Sequence, residues 1–318
     1  PTSLCSGQVA RVVAQHLNDH RPSDAPASQY VALVHTEGCG SVNAEDIYLR
    51  TLLGHVRHRR TWRALLLEHG CEKTHNDAVR NYLTGLGHDT SRFGWASVQL
   101  DGGLANVTQK VADWFAEQAR GESVRKAVTA SAAKLTVALG SEGEVPATAA
   151  AAIGEMARGL AAAGATVVVN EKASLLDNAT FVSALLEANC EVRPTLEYGA
   201  WPTHCGLHVM QSPTTDALEI ITGLGASGAD VILHYVGTSP FPLHPMIPVL
   251  QVSADPKLSA RFETDLDLSM ETSAPVNELV RKLETLLADT ASRRYAPRLH
   301  GKVAAGFQLT RGLLGISL

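Results

Sequence analysis

Short apolar runs alternate along this chain with longer stretches in which apolar residues recur every three or four positions. Val9, Val12, Val13 and Leu17 set that spacing first and predict a helix over residues 6–18. A Pro/Ser/Ala loop follows, then the run Tyr30-Val31-Ala32-Leu33-Val34-His35, which predicts a strand. The pattern continues with a helix at 43–55, a strand at 62–68, a helix at 76–86, a strand at 95–100 and a helix at 104–120. Asn43 suits the N-cap of its helix, and Glu45 and Asp46 suit the positive amino end. Residues 121–134 interrupt the rhythm. A second alternation then predicts a strand at 135–139, an alanine-rich helix at 146–163 opened by Pro146, and a strand at 166–170. Helices at 175–188 and 214–227, strands at 231–235 and 247–252, and an amphipathic helix at 276–288 complete it.

Strands alternating with helices of roughly 10–15 residues indicate parallel sheets. The expected fold is α/β: two Rossmann-like three-layer domains with mainly parallel sheets, over residues 1–128 and 129–318. At 318 residues, 45% hydrophobic and 19% charged, the chain can bury a full core. Its net charge of −5 and scattered Lys and Arg leave no basic footprint, so no nucleic acid is expected as a partner. No apolar run approaches the roughly 18 residues needed to span a bilayer. The amino terminus lacks a charged-then-apolar leader, so a cytoplasmic protein with no membrane partner is expected.

Five cysteines in a chain this large favour thiols or metal ligands over a disulfide scaffold. Cys39 sits in His35-Thr36-Glu37-Gly38-Cys39-Gly40, and Cys71 in Glu68-His69-Gly70-Cys71-Glu72-Lys73-Thr74-His75. Each follows an apolar run. A strand ending in Gly-Cys puts the thiol at the sheet's carboxyl edge, where ligands bind in open α/β sheets. Cys5 lies just before the first helical pattern, so three thiols can meet with His35, Glu72 and His75 nearby. Soft thiolates suit an iron–sulfur cluster, zinc or copper(I). Three cysteines without a fourth leave one iron of a [4Fe–4S] cluster open as a Lewis acid. The competing reading is tight strand–helix packing around buried thiols; no C-x-x-C zinc spacing is present.

The histidines are candidate ligands or proton shuttles, since imidazole titrates near neutrality. Gly102-Gly103, between a strand and a helix, can hold an anion at the helix amino end or simply form a turn. Gly140-Ser141-Glu142-Gly143-Glu144 can take a cation or be a solvated turn. His204-Cys205-Gly206-Leu207-His208 and His244-Pro245 can contact substrate or be structural. Neither a G-x-G-x-x-G fingerprint nor a P-loop occurs.

The ordered series Pro1-Thr2 to Cys5, His35-x-x-Gly38-Cys39-Gly40, Gly54-x-x-x-His58 and Gly70-Cys71-Glu72-Lys73 resembles the altronate/galactarate dehydratase family. Gln99-x-x-Gly102-Gly103, Gly206-Leu207-His208-x-Met210-x-x-Pro213 and Phe307-Gln308-Leu309-Thr310-Arg311-Gly312 extend the resemblance over nearly the whole chain. These are sugar-acid hydro-lyases, and they include the large subunit of a sulfolactate sulfo-lyase. The resemblance implies a lyase that removes water or a similar group β to a carboxylate. It further implies iron dependence, a homodimer through the cysteine-bearing domain, and a Rossmann variant as the last domain. A small β-clip domain precedes these two in the family, in the same chain or as a separate subunit. This chain opens on Pro1 without an initiator Met, as though the start of a strand were missing. His58-Arg59-Arg60 replaces the family's His-Pro-Asn. Ser141-Glu142-Gly143-Glu144 replaces its Glu-Cys-Gly-Gly-Ser-Asp loop, which implies a changed substrate surface.

The expected site lies between sheet edges. Cys5, Cys39 and Cys71 anchor an iron centre, taken as [4Fe–4S], with mononuclear Fe(II) or Mn(II) on His35 and Glu72 as the rival. His35 is the first candidate base and His75 the second, with Glu72 orienting a histidine or binding metal. His58, Lys73, Gly102, Gly103 and His208 are expected to contact a small hydroxy-acid substrate. The alternatives are a non-catalytic subunit or small-molecule-binding module that keeps the fold, and a nucleotide-binding oxidoreductase, which the missing fingerprint opposes.

Overall fold

The computed structural model describes residues 1–21, 29–38, 45–120, 131–187, 192–301 and 306–310. The chain divides into two units, the first of Pro1–Leu49, Thr61–Thr129 and Phe307–Leu318, the second of Arg50–Arg60 and Ala130–Gly306. Among the described residues, no helix is long and apolar enough to cross a membrane.

In the first unit, α1 (Leu4–Asp19) begins at a capping box. The Ser3 hydroxyl accepts the Ser6 N–H, and the Ser6 hydroxyl accepts the Ser3 N–H. Apolar spacing alone starts this helix two residues later, because a Ser-x-x-Ser cap carries no hydrophobic signal. The cap therefore places Cys5 inside the first turn rather than before it. Strands β1 (Leu65–Glu68) and β2 (Gly94–Ser97) pair in parallel, Leu65 with Gly94 through Glu68 with Ser97. Leu67, Ala96 and Val98 form a core with Val13 of α1 and with Val107 and Val111 of the helix Leu104–Ala119. The helix Asn76–Gly85 contributes the fully buried Val79 and Leu83.

The run 30–35 does not form the expected strand. Its backbone is engaged elsewhere: the Asn18 side chain takes both the N–H and the carbonyl of Tyr30, and the Val34 N–H turns back to Ala32. Without a ladder partner an apolar run is not a strand. The described part of this unit thus holds a small two-stranded parallel sheet in place of a full three-layer domain. The helix Glu45–Val56 runs on from this unit into the second, the division falling after Leu49.

The second unit carries a six-stranded, all-parallel sheet. Numbering on in chain order, β3 (Thr136–Ser141) and β4 (Thr166–Asn170) are followed by β5 (Gly206–Met210) and β6 (Val231–Tyr235). Then come β7 (Val249–Ser253) and the short β8 (Leu268–Ser269). The spatial order is β5-β4-β3-β6-β7-β8. The chain starts at the centre, steps outward to one side, returns, and steps outward to the other. That is the doubly wound order, with its switch point between β3 and β6.

Alternation along the strands splits the core. Val137, Leu139, Val169, Leu233 and Val252 pack with Ile153 and Met156 of the helix Ala147–Ala162 and with Leu279 and Leu283 of the helix Val276–Ala291. The other face meets the helix Ala217–Ala226, whose Ile221 lies over Gly140. The β5 strand was not expected from the sequence. Its five residues follow a loop of Trp, Pro, Thr, His and Cys, and His208 at its centre breaks the apolar run.

Candidate functional site

At the carboxyl end of β1 the chain turns through His69, Gly70, Cys71 and Glu72. The Glu72 carboxylate holds this turn by accepting five hydrogen bonds. Oε1 takes the Thr2 hydroxyl (2.8 Å), the Ser3 hydroxyl (2.9 Å) and the His69 N–H (2.8 Å). Oε2 takes the N–H groups of Gly70 (2.7 Å) and Cys71 (3.0 Å). Burial pushes this carboxyl up, but the surrounding donors outweigh it and bring its pKa down to about 2. Gly70 has φ +114°, and a Cβ there would lie 3.0 Å from Gln99, so the turn depends on glycine.

The same carboxylate fastens the amino-terminal segment to the turn. Thr2 also donates its N–H to Leu67 of β1, and the Leu4 N–H donates to the Glu37 carbonyl (2.7 Å). The segments before Cys5, before Cys39 and around Cys71 are thus joined by direct hydrogen bonds. Cys5 and Cys71 are both exposed. Cys39 itself lies outside the described residues, as does Cys190.

His69 is one of the histidines that the sequence offers as a ligand or proton shuttle, though not one of the expected site residues, and the structure places its Nδ1 3.4 Å from the Cys71 Sγ. Donor atoms of His69, Cys71 and Glu72 all lie within 4.8 Å of one another. Thiolate with imidazole is a donor set that suits iron or zinc. Glu72 fits the set as the group that aims His69 and Cys71, because both its oxygens already serve backbone and hydroxyl donors. The signal for this role was invisible locally: Thr2 and Ser3 lie some seventy positions away in the chain.

His35 is buried, with Nδ1 accepting the Glu37 N–H (3.2 Å) and Nε2 facing the Pro1 carbonyl (3.3 Å). These partners fix the neutral tautomer with its proton on Nε2. Burial, more than any neighbouring charge, pushes its pKa down to about 3. His75 is exposed and caps the helix Asn76–Gly85, its Nδ1 accepting the Ala78 N–H. Glu68, at the end of β1, accepts the Asn76 N–H and so fixes where that helix begins. Lys73 is exposed on the same turn. Gly102 and Gly103 follow β2, but their N–H groups are bonded to the carbonyls of Gln99 and Val98. They close a turn rather than point donors outward.

Two expected substrate contacts, His58 and His208, belong to the second unit. His58 is buried, faces the Ala229 carbonyl through Nε2 and accepts the Arg60 N–H on Nδ1. Burial lowers its pKa to about 4. His208 is buried in β5 between the carbonyls of Pro194 (3.3 Å) and His204 (2.9 Å). In the loop after β3, Glu142 accepts the Thr238 hydroxyl (2.6 Å), and Ser141 accepts the Leu175 N–H (2.9 Å).

Two family models match the chain. Residues 1–121 match the second domain of D-galactarate dehydratase/altronate hydrolase, and residues 184–298 match the C-terminal domain of D-galactarate/altronate dehydratase. No curated protein matches it.

Proposed function

This chain belongs to the D-galactarate dehydratase/altronate hydrolase family, and from that premise we propose that it is a sugar-acid dehydratase whose metal centre forms at the Glu72 turn. Membership itself implies a sugar-acid hydro-lyase, a carbon–oxygen lyase. The observation that carries the finer reading is the five-donor Glu72 carboxylate. It holds Cys71 and His69 in one turn and ties that turn to the segment entering Cys5.

In this reading Cys5, Cys39 and Cys71 hold an iron centre, with His69 at its edge. When bound, iron supplies Lewis acidity toward the substrate's carboxylate and leaving hydroxyl. The chain's own residues do the rest. Glu72 keeps the cysteine turn in place without needing a proton of its own. His35, neutral and bonded on both nitrogens, positions the Pro1–Glu37 crossing. His75 is the base: its Nδ1 is taken by the helix cap, and its Nε2 carries no hydrogen bond among the described residues. It takes the proton α to the carboxylate and returns it to the β-hydroxyl, which departs as water as the Cα–Cβ double bond forms. Lys73, on the same exposed turn, offers a cation to a carboxylate. A homodimer and a separate small β-clip subunit belong to this reading as proposals.

The test is dehydration of galactarate and of altronate by anaerobically purified protein, with formation of the keto-deoxy acid as readout. His75→Gln is expected to lower kcat by about 100-fold or more, the usual contribution of a positioned base, while iron content stays unchanged. An active, iron-free protein would contradict the reading. A second reading, a binding module without catalysis, draws on the loop after β3, where Ser141 and Glu142 are bonded within the protein. Wild-type protein that binds these acids with no turnover, iron loaded or not, supports it.

A further inference from the structure

The stretch that enters Cys39 has no sheet to hold it. Residues 30–35 form no strand, and side chains set their place instead. At one end the Asn18 amide takes both the N–H and the carbonyl of Tyr30. Further on, the His35 ring bonds to the Pro1 carbonyl and the Glu37 carbonyl accepts the Leu4 N–H. His35 and Glu37 are buried, and Thr36 between them is exposed.

Thr36 meets a residue from another part of the chain. Its hydroxyl donates to Oε1 of Gln308 (3.0 Å) and accepts from Nε2 (2.8 Å). A side-chain amide offers both roles at once, which neither a carboxylate nor an ammonium does. Gln308 is itself well held. Its Nε2 also donates to the Leu309 carbonyl (3.1 Å), and Phe307, Leu309 and Thr310 around it are buried, Leu309 completely. The chain leaves the second unit at Gly306, whose N–H bonds to the Pro242 carbonyl (3.3 Å), and joins the first unit at Phe307. Burial of its neighbours fixes the backbone, so only side-chain freedom is lost when Gln308 reaches Thr36.

We infer that Gln308 is a positioning residue of the proposed metal centre, which holds the stretch entering Cys39 through Thr36 and so slows loss of the metal. The inference rests on the reading that Cys39 helps to hold iron. Glu72 ties the segments of Cys5 and Cys71 to each other. Gln308 supplies a corresponding tie for the third segment, and it gives the motif Phe307-Gln308-Leu309-Thr310 a task at the site. Partners that touch a metal ligand directly are worth about 10–100-fold in metal affinity. Gln308 acts three positions before the cysteine, so a smaller effect of about fivefold is expected.

Release of iron to a ferrous chelator from anaerobically loaded protein tests the proposal. Gln308→Leu, which keeps the bulk and removes both bonds, and Thr36→Val are each expected to release iron about fivefold faster than the wild type. Thr36→Ser keeps the hydroxyl and is expected to release it at the wild-type rate. The variant carrying both Thr36→Val and Gln308→Leu is expected to match either single one, because the two side chains act as one pair. Amide hydrogen exchange of the metal-free protein, read on peptides covering residues 31–38, is expected to quicken in both single variants. Equal iron release by the wild type and Gln308→Leu, or additive effects in the double variant, overturns the inference. Faster exchange with unchanged iron release makes the pair a structural tie alone and overturns it too. A wild type that takes up no iron contradicts the metal-centre reading and the inference with it, and is told apart by the missing metal before any variant is compared.

Discussion

The Glu72 carboxylate bonds both to its own turn and to the amino-terminal segment. Its five accepted hydrogen bonds join the cysteine turn to Thr2 and Ser3. Hydrogen bonds to a charged group each contribute about 1.5–3 kcal/mol. Glu72→Ala is therefore expected to lower stability by at least ~3 kcal/mol, measured by urea denaturation, with loss of bound iron. Loss of iron with unchanged stability would make Glu72 a ligand rather than a tie. The pH dependence follows from its lowered pKa of about 2. The unfolded carboxyl takes up a proton first, so this contribution is complete above the ordinary glutamate range of about 4.3 and is lost as pH falls toward 2. None of this was readable around position 72, where Gly-Cys-Glu-Lys looks like a ligand set. Three donors are the neighbouring N–H groups of residues 69–71, but the two hydroxyls that tie the turn to the amino-terminal segment come from Thr2 and Ser3, some seventy positions away.

At the scale of elements, two contacts explain motif residues that looked merely familial. Gly54 lies in the helix Glu45–Val56, and a Cβ there would sit 2.9 Å from the Ala226 Cα at the end of the helix Ala217–Ala226. Gly54→Ala is expected to cost about 1–3 kcal/mol by overpacking. Gly85→Ala, where a Cβ meets nothing within 4 Å, serves as the control and is expected to be neutral or slightly stabilising. Equal thermal midpoints for the two variants would contradict this. Ser3→Ala removes both the cap of α1 and a hydroxyl on Glu72, and a loss of about 1–2 kcal/mol is expected from the cap.

Much of the second unit was legible because its buried parallel strands are continuous apolar runs such as Thr166–Asn170. β5 was not, since His208 sits at its centre. The run 30–35 misled in the opposite direction: its apolar pattern is strand-like, but Asn18 holds its backbone. The expectation places all three cysteines at strand ends, but the run before Cys39 is not a strand. Cys71 does leave a strand, while Cys5 comes in on a helix start.

On the scale of the whole molecule, several buried histidines share one electrostatic consequence. Burial lowers the pKa of His35 and His55 to about 3, and of His58 and His234 to about 4. His244, whose Nε2 lies 3.0 Å from that of His55, moves in the same direction. All are depressed in the fold, so the unfolded chain binds these protons first. Their contribution is complete above about pH 6.5 and is lost as pH falls toward 3–4. Asp230 and Asp267, raised by burial, act oppositely, but near the carboxylate range. The melting temperature is expected to decline steadily from pH 6.5 to 4.5, and a flat profile over that interval would contradict this account. The central claim remains that segments distant in the chain bring thiols together to hold iron. Iron and acid-labile sulfide analysis of anaerobically purified wild-type, Cys5→Ser and Cys71→Ser protein tests it most directly. The account predicts stoichiometric iron in the wild type and its loss in both variants; iron retained by either variant, or a wild type that takes up none, would contradict it.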